Sequence, residues 1–109
     1  MNLIKAIIRP NKVEGVREAL EKLNVSGVTI TEVRGHGKQK GHTAIYRGKE
    51  YNVSLLPKME VEIVVPDEMV DDAVKAIMLA ARTGEIGDGR VFVLPVGESY
   101  QIRTGEPAV

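Results

Sequence analysis

The 109-residue chain has no cysteine and no tryptophan, a single phenylalanine (Phe92) and three tyrosines. Without cysteine there is no disulfide framework, no thiolate nucleophile and no cysteine-based zinc site, and such a chain suits a reducing, cytoplasmic setting. With aromatics so scarce, valine, isoleucine and leucine must build the core. No apolar run approaches the roughly 20 residues of a spanning helix, and the start, MNLIKAIIRPNK, is too short and too charged for a signal peptide. Excess charge is missing too: 15 Lys+Arg balance 15 Asp+Glu, so no global field draws the chain to nucleic acid or anionic lipid. Any such binding must be local. What remains is a single domain over residues 1–109, with 43% hydrophobic and 28% charged residues, within the globular range.

Leu3 to Ile8 reads as a strand stopped by Arg9-Pro10. Asn11, with Glu14 three residues on, resembles a capping box, and Val13, Val16, Leu20 and Leu23 recur at helical spacing, predicting a helix over about 12–23. Asn24 to Gly27 is a turn, and the β-branched run Val28 to Val33 is a second strand. A long stretch from Arg34 to Leu56 shows no settled period. Lys58 to Ile63 then alternates, with Met59, Val61, Ile63 and Val65 on the core face and Lys58, Glu60 and Glu62 opposite. A second helix is expected from near Asp67, with acids at its positive end and Arg82 and Gly84 at its close. Its buried stripe is Val70, Ala73, Val74, Ile77 and Ala81. Arg90 to Leu94 is a fourth strand, and Ser99 to Arg103 reads as a short extra one. The order β-α-β-β-α-β predicts an α+β, ferredoxin-like sandwich with both helices on one face of an antiparallel sheet. The other face carries Val64 and Thr29 among polar residues and is too apolar to be fully wet, which predicts an oligomer.

Three segments stand out. A connection of about twenty residues between paired strands is far longer than a hairpin needs, and such loops are usually functional or disordered. From Arg34 to Glu50 its cations are Arg34, Lys38, Lys40, Arg47 and Lys49 against the single acid Glu50. It is either a solvated surface loop or a recognition arm presenting Tyr46, Arg47 and Tyr51. The second segment, Thr83-Gly-Glu-Ile-Gly-Asp-Gly-Arg90, has more glycine than a helix end requires. Gly87 and Gly89 around Asp88 would let backbone N–H groups converge on an anion beside Arg90. The third holds Gln101 and Arg103 on one face of the expected last strand, where Arg103 is either a solvated charge or a second guanidinium for a phosphate.

No catalytic constellation emerges, because both histidines, His36 and His42, fall in the long loop and no serine has a His/Asp pair. The chain therefore reads as a non-enzyme. An RNA-binding use of the sheet face would need stacking aromatics on central strands, and the fourth strand offers only Phe92. A regulatory module for some other small molecule, or an RNA-binding ferredoxin-like protein using the basic loop, stays open.

Taken together, these segments resemble the PII (P-II) nitrogen-regulatory signal-transduction family over nearly the whole chain. The motifs are Ala6-Ile-Ile-Arg-Pro10, Gly37-Lys-Gln-Lys-Gly-His42, Tyr46-Arg-Gly-Lys-Glu-Tyr51, Leu56-Pro-Lys58, Val61-Glu-Ile-Val-Val65, Thr83 to Val93 and Ile102-Arg-Thr-Gly-Glu106. The resemblance implies a homotrimer with nucleotide clefts between subunits, where ATP and ADP compete and 2-oxoglutarate binds beside ATP through Mg2+. It implies that Gly87, Asp88, Gly89, Arg90 and Arg103 hold phosphates. Ile7, Thr29, Gly35, Gly37, Glu62 and Val64 would complete the nucleotide site. Gln39 would reach the metal, and Gln39, Lys40, Gly41 and Lys58 would surround 2-oxoglutarate. Residues 37–55 would be the family's T-loop, with Tyr51 at its uridylylated position and Arg47 inserting into an ammonium transporter. The protein would thus be cytoplasmic and reversibly recruited to the membrane. Other implied partners are a uridylyltransferase, glutamine synthetase regulators and further nitrogen-metabolism proteins, with no nucleic acid. Two positions depart from the family pattern: Lys49 replaces a small residue, excluding serine phosphorylation there, and Gln101 replaces an arginine that contacts phosphate.

Overall fold

The middle of the sheet is set by strict alternation. In β1 (Asn2–Ile8) the side chains of Ile4, Ala6 and Ile8 are buried, and in β5 (Leu56–Val65) those of Val61, Ile63 and Val65 are. The two strands pair antiparallel with Ile4 opposite Ile63 and Ala6 opposite Val61, so these apolar side chains share one face. β2 (Thr29–Gly35) pairs with β5 and β6 (Gly89–Pro95) with β1, giving an antiparallel sheet of order β2-β5-β1-β6. The computed structural model describes residues 1–25, 27–35, 42–46, 49–53 and 56–108, with 42–46 and 49–53 as backbone only.

Helices α1 (Val13–Lys22) and α2 (Val70–Ala81) cover the apolar face, burying Val16 and Leu20 from one and Ala73, Ile77 and Ala81 from the other. This is the α+β, ferredoxin-like arrangement expected, with one helix after β1 and the other after β5. The start of α1 differs in detail. Pro10 opens a 3-10 turn over Pro10–Lys12, closed by the Lys12 N–H on the Arg9 carbonyl at 3.0 Å, so Asn11 lies inside the turn and caps nothing. Glu14 instead accepts from Arg17 at 3.1 Å. At the other end, Asn24 adopts φ 62° while its N–H meets the Glu21 carbonyl and the Val25 N–H meets that of Leu20. That pair of bonds is a Schellman stop, and asparagine is one of the few residues that tolerates it.

Two further differences concern strands. Inside the segment without a settled period, β3 (His42–Tyr46) and β4 (Lys49–Val53) pair antiparallel as a separate two-stranded ribbon, His42 opposite Val53 and Tyr46 opposite Lys49. Ser99–Arg103 does not form the short extra strand expected. It contributes a single bridge, Tyr100 to Pro107, followed by a turn over residues 102–104. Proline has no N–H to extend a ladder, and Gly105 at φ 71° folds the chain back, so the Gly105 N–H meets the Gln101 carbonyl at 2.8 Å.

Candidate functional site

The sheet face turned away from the helices gathers most of the described candidate residues. Opposed residues of antiparallel strands point to the same side, so the registers read off its contents row by row. One row holds Val64, Leu3 and Leu94, the next Thr29, Glu62, Lys5 and Phe92, and the third Thr31, Glu60, Ile7 and Arg90. Rows on one face lie two residues apart, roughly 6.6–6.8 Å. One position beyond the last paired residues, Ile8 with Met59 and Ile8 with Gly89, the same registers bring Lys58, Arg9 and Asp88 side by side. The face is thus apolar at one end and ionic at the other. Val64, Phe92 and Leu94 remain 37%, 42% and 43% exposed at the apolar end.

At the ionic end the contacts are specific. The Arg9 side chain donates through Nε to Asp88 Oδ1 at 3.2 Å and through its terminal nitrogen to the Ile86 carbonyl at 2.9 Å. The Lys58 ammonium donates to the Gly87 carbonyl at 2.5 Å. The Asp88 carboxylate also accepts from the N–H groups of Thr83 and Gly84, both at 2.9 Å, and from the Thr83 hydroxyl. The Thr83 hydroxyl and N–H, then the Gly84 N–H and Arg9, hold the Asp88 carboxyl well below the ordinary carboxylate range. Burial and the neighbouring Arg9 charge lower the pKa of Lys58, partly offset by Asp88.

Gly87 and Gly89 sit at φ 103° and 106°, a region that side chains rarely enter. Gly89 has a further reason: a Cβ there would lie 1.7 Å from the Ile7 carbonyl oxygen, so β6 can approach β1 only without one. The turn therefore combines an obligatory backbone geometry with three flanking cations, Arg9, Lys58 and the exposed Arg90. Backbone turns of this kind suit anionic oxygens.

At the other end of that face, Thr29, Glu62 and Val64 line an open groove of about 470 Å³ that also takes in Leu3 and Pro66 and, from the helix side of the sheet, Ile63, Val65 and Met69. The structure thus places Ile7, Thr29, Glu62, Val64, Arg90, Lys58 and Asp88 on one face, with Gly87 and Gly89 at its ionic end and Gly35 at the end of β2. Arg103 lies apart from that group in its contacts. The backbone bonds around it run within the terminal segment, Gln101 to Glu106 and Ala108 to Ser99, and among the described residues none reaches the glycine turn. Gly37, Gln39, Lys40, Gly41 and Arg47 lie outside the described residues. Tyr51 lies in β4, its backbone opposite Ala44. One participant was missed by the sequence reading: Arg9, whose signal was its place before Pro10 at the end of a strand.

Comparison with known proteins bears on these residues as a set. The sequence model described as "Nitrogen regulatory protein P-II" matches residues 1–106. The chain is 56% identical over 106 residues to the Nitrogen regulatory protein P-II of Haemophilus influenzae, covering 97% of this chain and 95% of the relative. It is 55% identical, with the same coverage, to the Nitrogen regulatory protein P-II of Rhizobium etli and to the Nitrogen regulatory protein P-II 1 of Escherichia coli K12.

Proposed function

The chain belongs to the P-II family of nitrogen regulatory proteins, and from that premise we propose that it senses ATP, ADP and 2-oxoglutarate through its open sheet face. Its role is nitrogen-regulatory signalling rather than catalysis. The observation that most supports the ligand reading is a glycine turn held by Arg9 and Lys58 next to the exposed Arg90, on the sheet face whose other end carries the groove of Thr29, Glu62 and Val64. A phosphate chain fits the cationic end and a planar base the groove. Gly87, Gly89 and Arg90 would face the phosphates, Ile7, Glu62 and Val64 the nucleoside, and Lys58 a carboxylate of 2-oxoglutarate.

Gln39 would hold Mg2+ through its side-chain oxygen, with Lys40 and Gly41 beside it, and the metal would supply positive charge for the anionic ligands. Arg103 and Thr29 would serve a site completed by a neighbouring subunit of a homotrimer. The exposed apolar end of the face, Val64, Phe92 and Leu94, supports such an assembly. Output would run through the T-loop, residues 37–55. Arg47 would block an ammonium transporter in the ADP state, recruiting this cytoplasmic protein to the membrane, and Tyr51 would accept a uridylyl group. A uridylyltransferase, glutamine synthetase regulators and other nitrogen-metabolism proteins would be further partners.

Calorimetric titration tests the ligand reading. ATP and ADP should bind competitively, and 2-oxoglutarate only with ATP and Mg2+. Arg47→Ala should retain nucleotide binding and relieve the transport block. Block unchanged in Arg47→Ala would leave Arg47 a solvated charge.

A further inference from the structure

Among the described bonds, Arg9 is the one side chain of the ionic row with two partners from the glycine turn, Asp88 and the Ile86 carbonyl, and none within its own strand. Its backbone is extended, φ −65° and ψ 142°, as the following Pro10 requires, which holds the side chain at the end of the β1–β6 ladder. From there Nε meets Asp88 and a terminal nitrogen meets the Ile86 carbonyl. Asp88, through Thr83 and Gly84, knots the two ends of the turn together. The knot is internal to the turn, however, and says nothing about where the turn sits on the sheet. The Arg9 contacts, with Lys58 on the Gly87 carbonyl, add to the pairing of Gly89 with Ile8 in fixing that. Both Arg9 and Asp88 are 23% exposed, so the pair is shielded enough to hold position.

We infer that Arg9 is a positioning residue for the anion-binding turn: it tethers the Thr83–Asp88 knot to the end of β1, so that the N–H groups around Gly87 and Gly89 are set before any ligand arrives. The inference rests on the nucleotide reading above for its consequence, though not for its geometry. It also gives Asp88 a role that differs from holding phosphate, because its two oxygens already accept from Thr83, Gly84 and Arg9. A turn set in advance binds more tightly, since less ordering accompanies binding.

The test compares wild type, Arg9→Ala and Arg9→Lys, by residue-resolved amide exchange of the ligand-free chain and by ATP titration. Two charge-assisted bonds are removed in Arg9→Ala, so exchange across residues 83–89 should speed up roughly tenfold and ATP affinity fall roughly tenfold. Exchange in β1 and β5 should be unchanged, which separates untethering from loss of fold. Arg9→Lys, which can satisfy one of the two acceptors, should recover part of both effects. Weaker ATP binding with unchanged exchange at 83–89 would overturn the inference, placing Arg9 on the ligand instead. Faster exchange with unaltered ATP affinity would overturn it as well, by severing the tether from binding. A wild-type chain that binds no ATP would overturn the nucleotide reading, while the exchange arm would still decide whether Arg9 tethers the turn.

Discussion

At Gly89 a single methyl group decides whether β6 can lie against β1. Its Cβ would sit 1.7 Å from the Ile7 carbonyl oxygen, and its φ of 106° disfavours a side chain in any case. Gly84 shares the left-handed backbone, at φ 91°, but a Cβ there meets nothing within 4 Å. Gly84→Ala should therefore carry backbone strain alone, on the order of 1–3 kcal/mol, and Gly89→Ala measurably more, as read by denaturant unfolding. Equal losses would show that β6 can shift away from Ile7 freely. Arg90 is the opposite case, exposed and without a partner among the described hydrogen bonds and ion pairs. Arg90→Ala should leave unfolding unchanged while weakening ATP by about 1.5–3 kcal/mol, the range for hydrogen bonds to charged groups. Retained ATP and ADP affinity would remove Arg90 from the site. The sequence showed excess glycine in this segment but not which glycine serves packing, since the clash at Gly89 involves Ile7, some eighty positions away.

The turn from Thr83 to Asp88 acts as an element in its own right, closed by one carboxylate. Asp88 has its pKa depressed in the folded chain, so the stability it confers is full above the ordinary carboxylate value of about 3.9 and declines as pH falls below it. The stability gap between wild type and Asp88→Asn should accordingly be constant from pH 7 to 5 and narrow steadily on further acidification. A gap as wide at pH 2 as at pH 7 would contradict the ionic knot. The helices and central strands were legible because each follows a single period: Val16 and Leu20, Ala73 and Ile77, and Val61, Ile63 and Val65 are the buried positions their spacing predicts. The failures occurred where a neighbour overrides local pattern. Asn11 looked like a cap until Pro10 began the turn ahead of it. Ser99–Arg103 alternates like a strand, but its facing segment contains Pro107 and cannot supply a ladder. β3 and β4 pair with each other, outside the main sheet, and their sequences carry no alternation that would have revealed it.

For the whole molecule, the division of the open face matters most: Leu3, Val64, Phe92 and Leu94 at one end, Arg9, Lys58, Asp88 and Arg90 at the other. Apolar side chains exposed on a sheet face favour association with another copy, and the proposed trimer would cover them. Sedimentation should show one species of three chains, and Phe92→Asp should shift it to smaller ones. A wild-type monomer at micromolar concentration would contradict the assembly. Residue types alone reached the α+β fold and singled out the glycine turn as a candidate for an anion. Family resemblance supplied the ligands, and neither could supply Arg9, which becomes visible only when two strand registers are continued by one position. The claim on which the account turns is that this face binds adenine nucleotide and couples it to a dicarboxylate. Calorimetry of 2-oxoglutarate against the wild-type chain saturated with ATP and Mg2+, and again with ADP and Mg2+, measures that coupling directly. The account predicts binding in the first titration and none in the second; equal binding in both, or none in either, would contradict it.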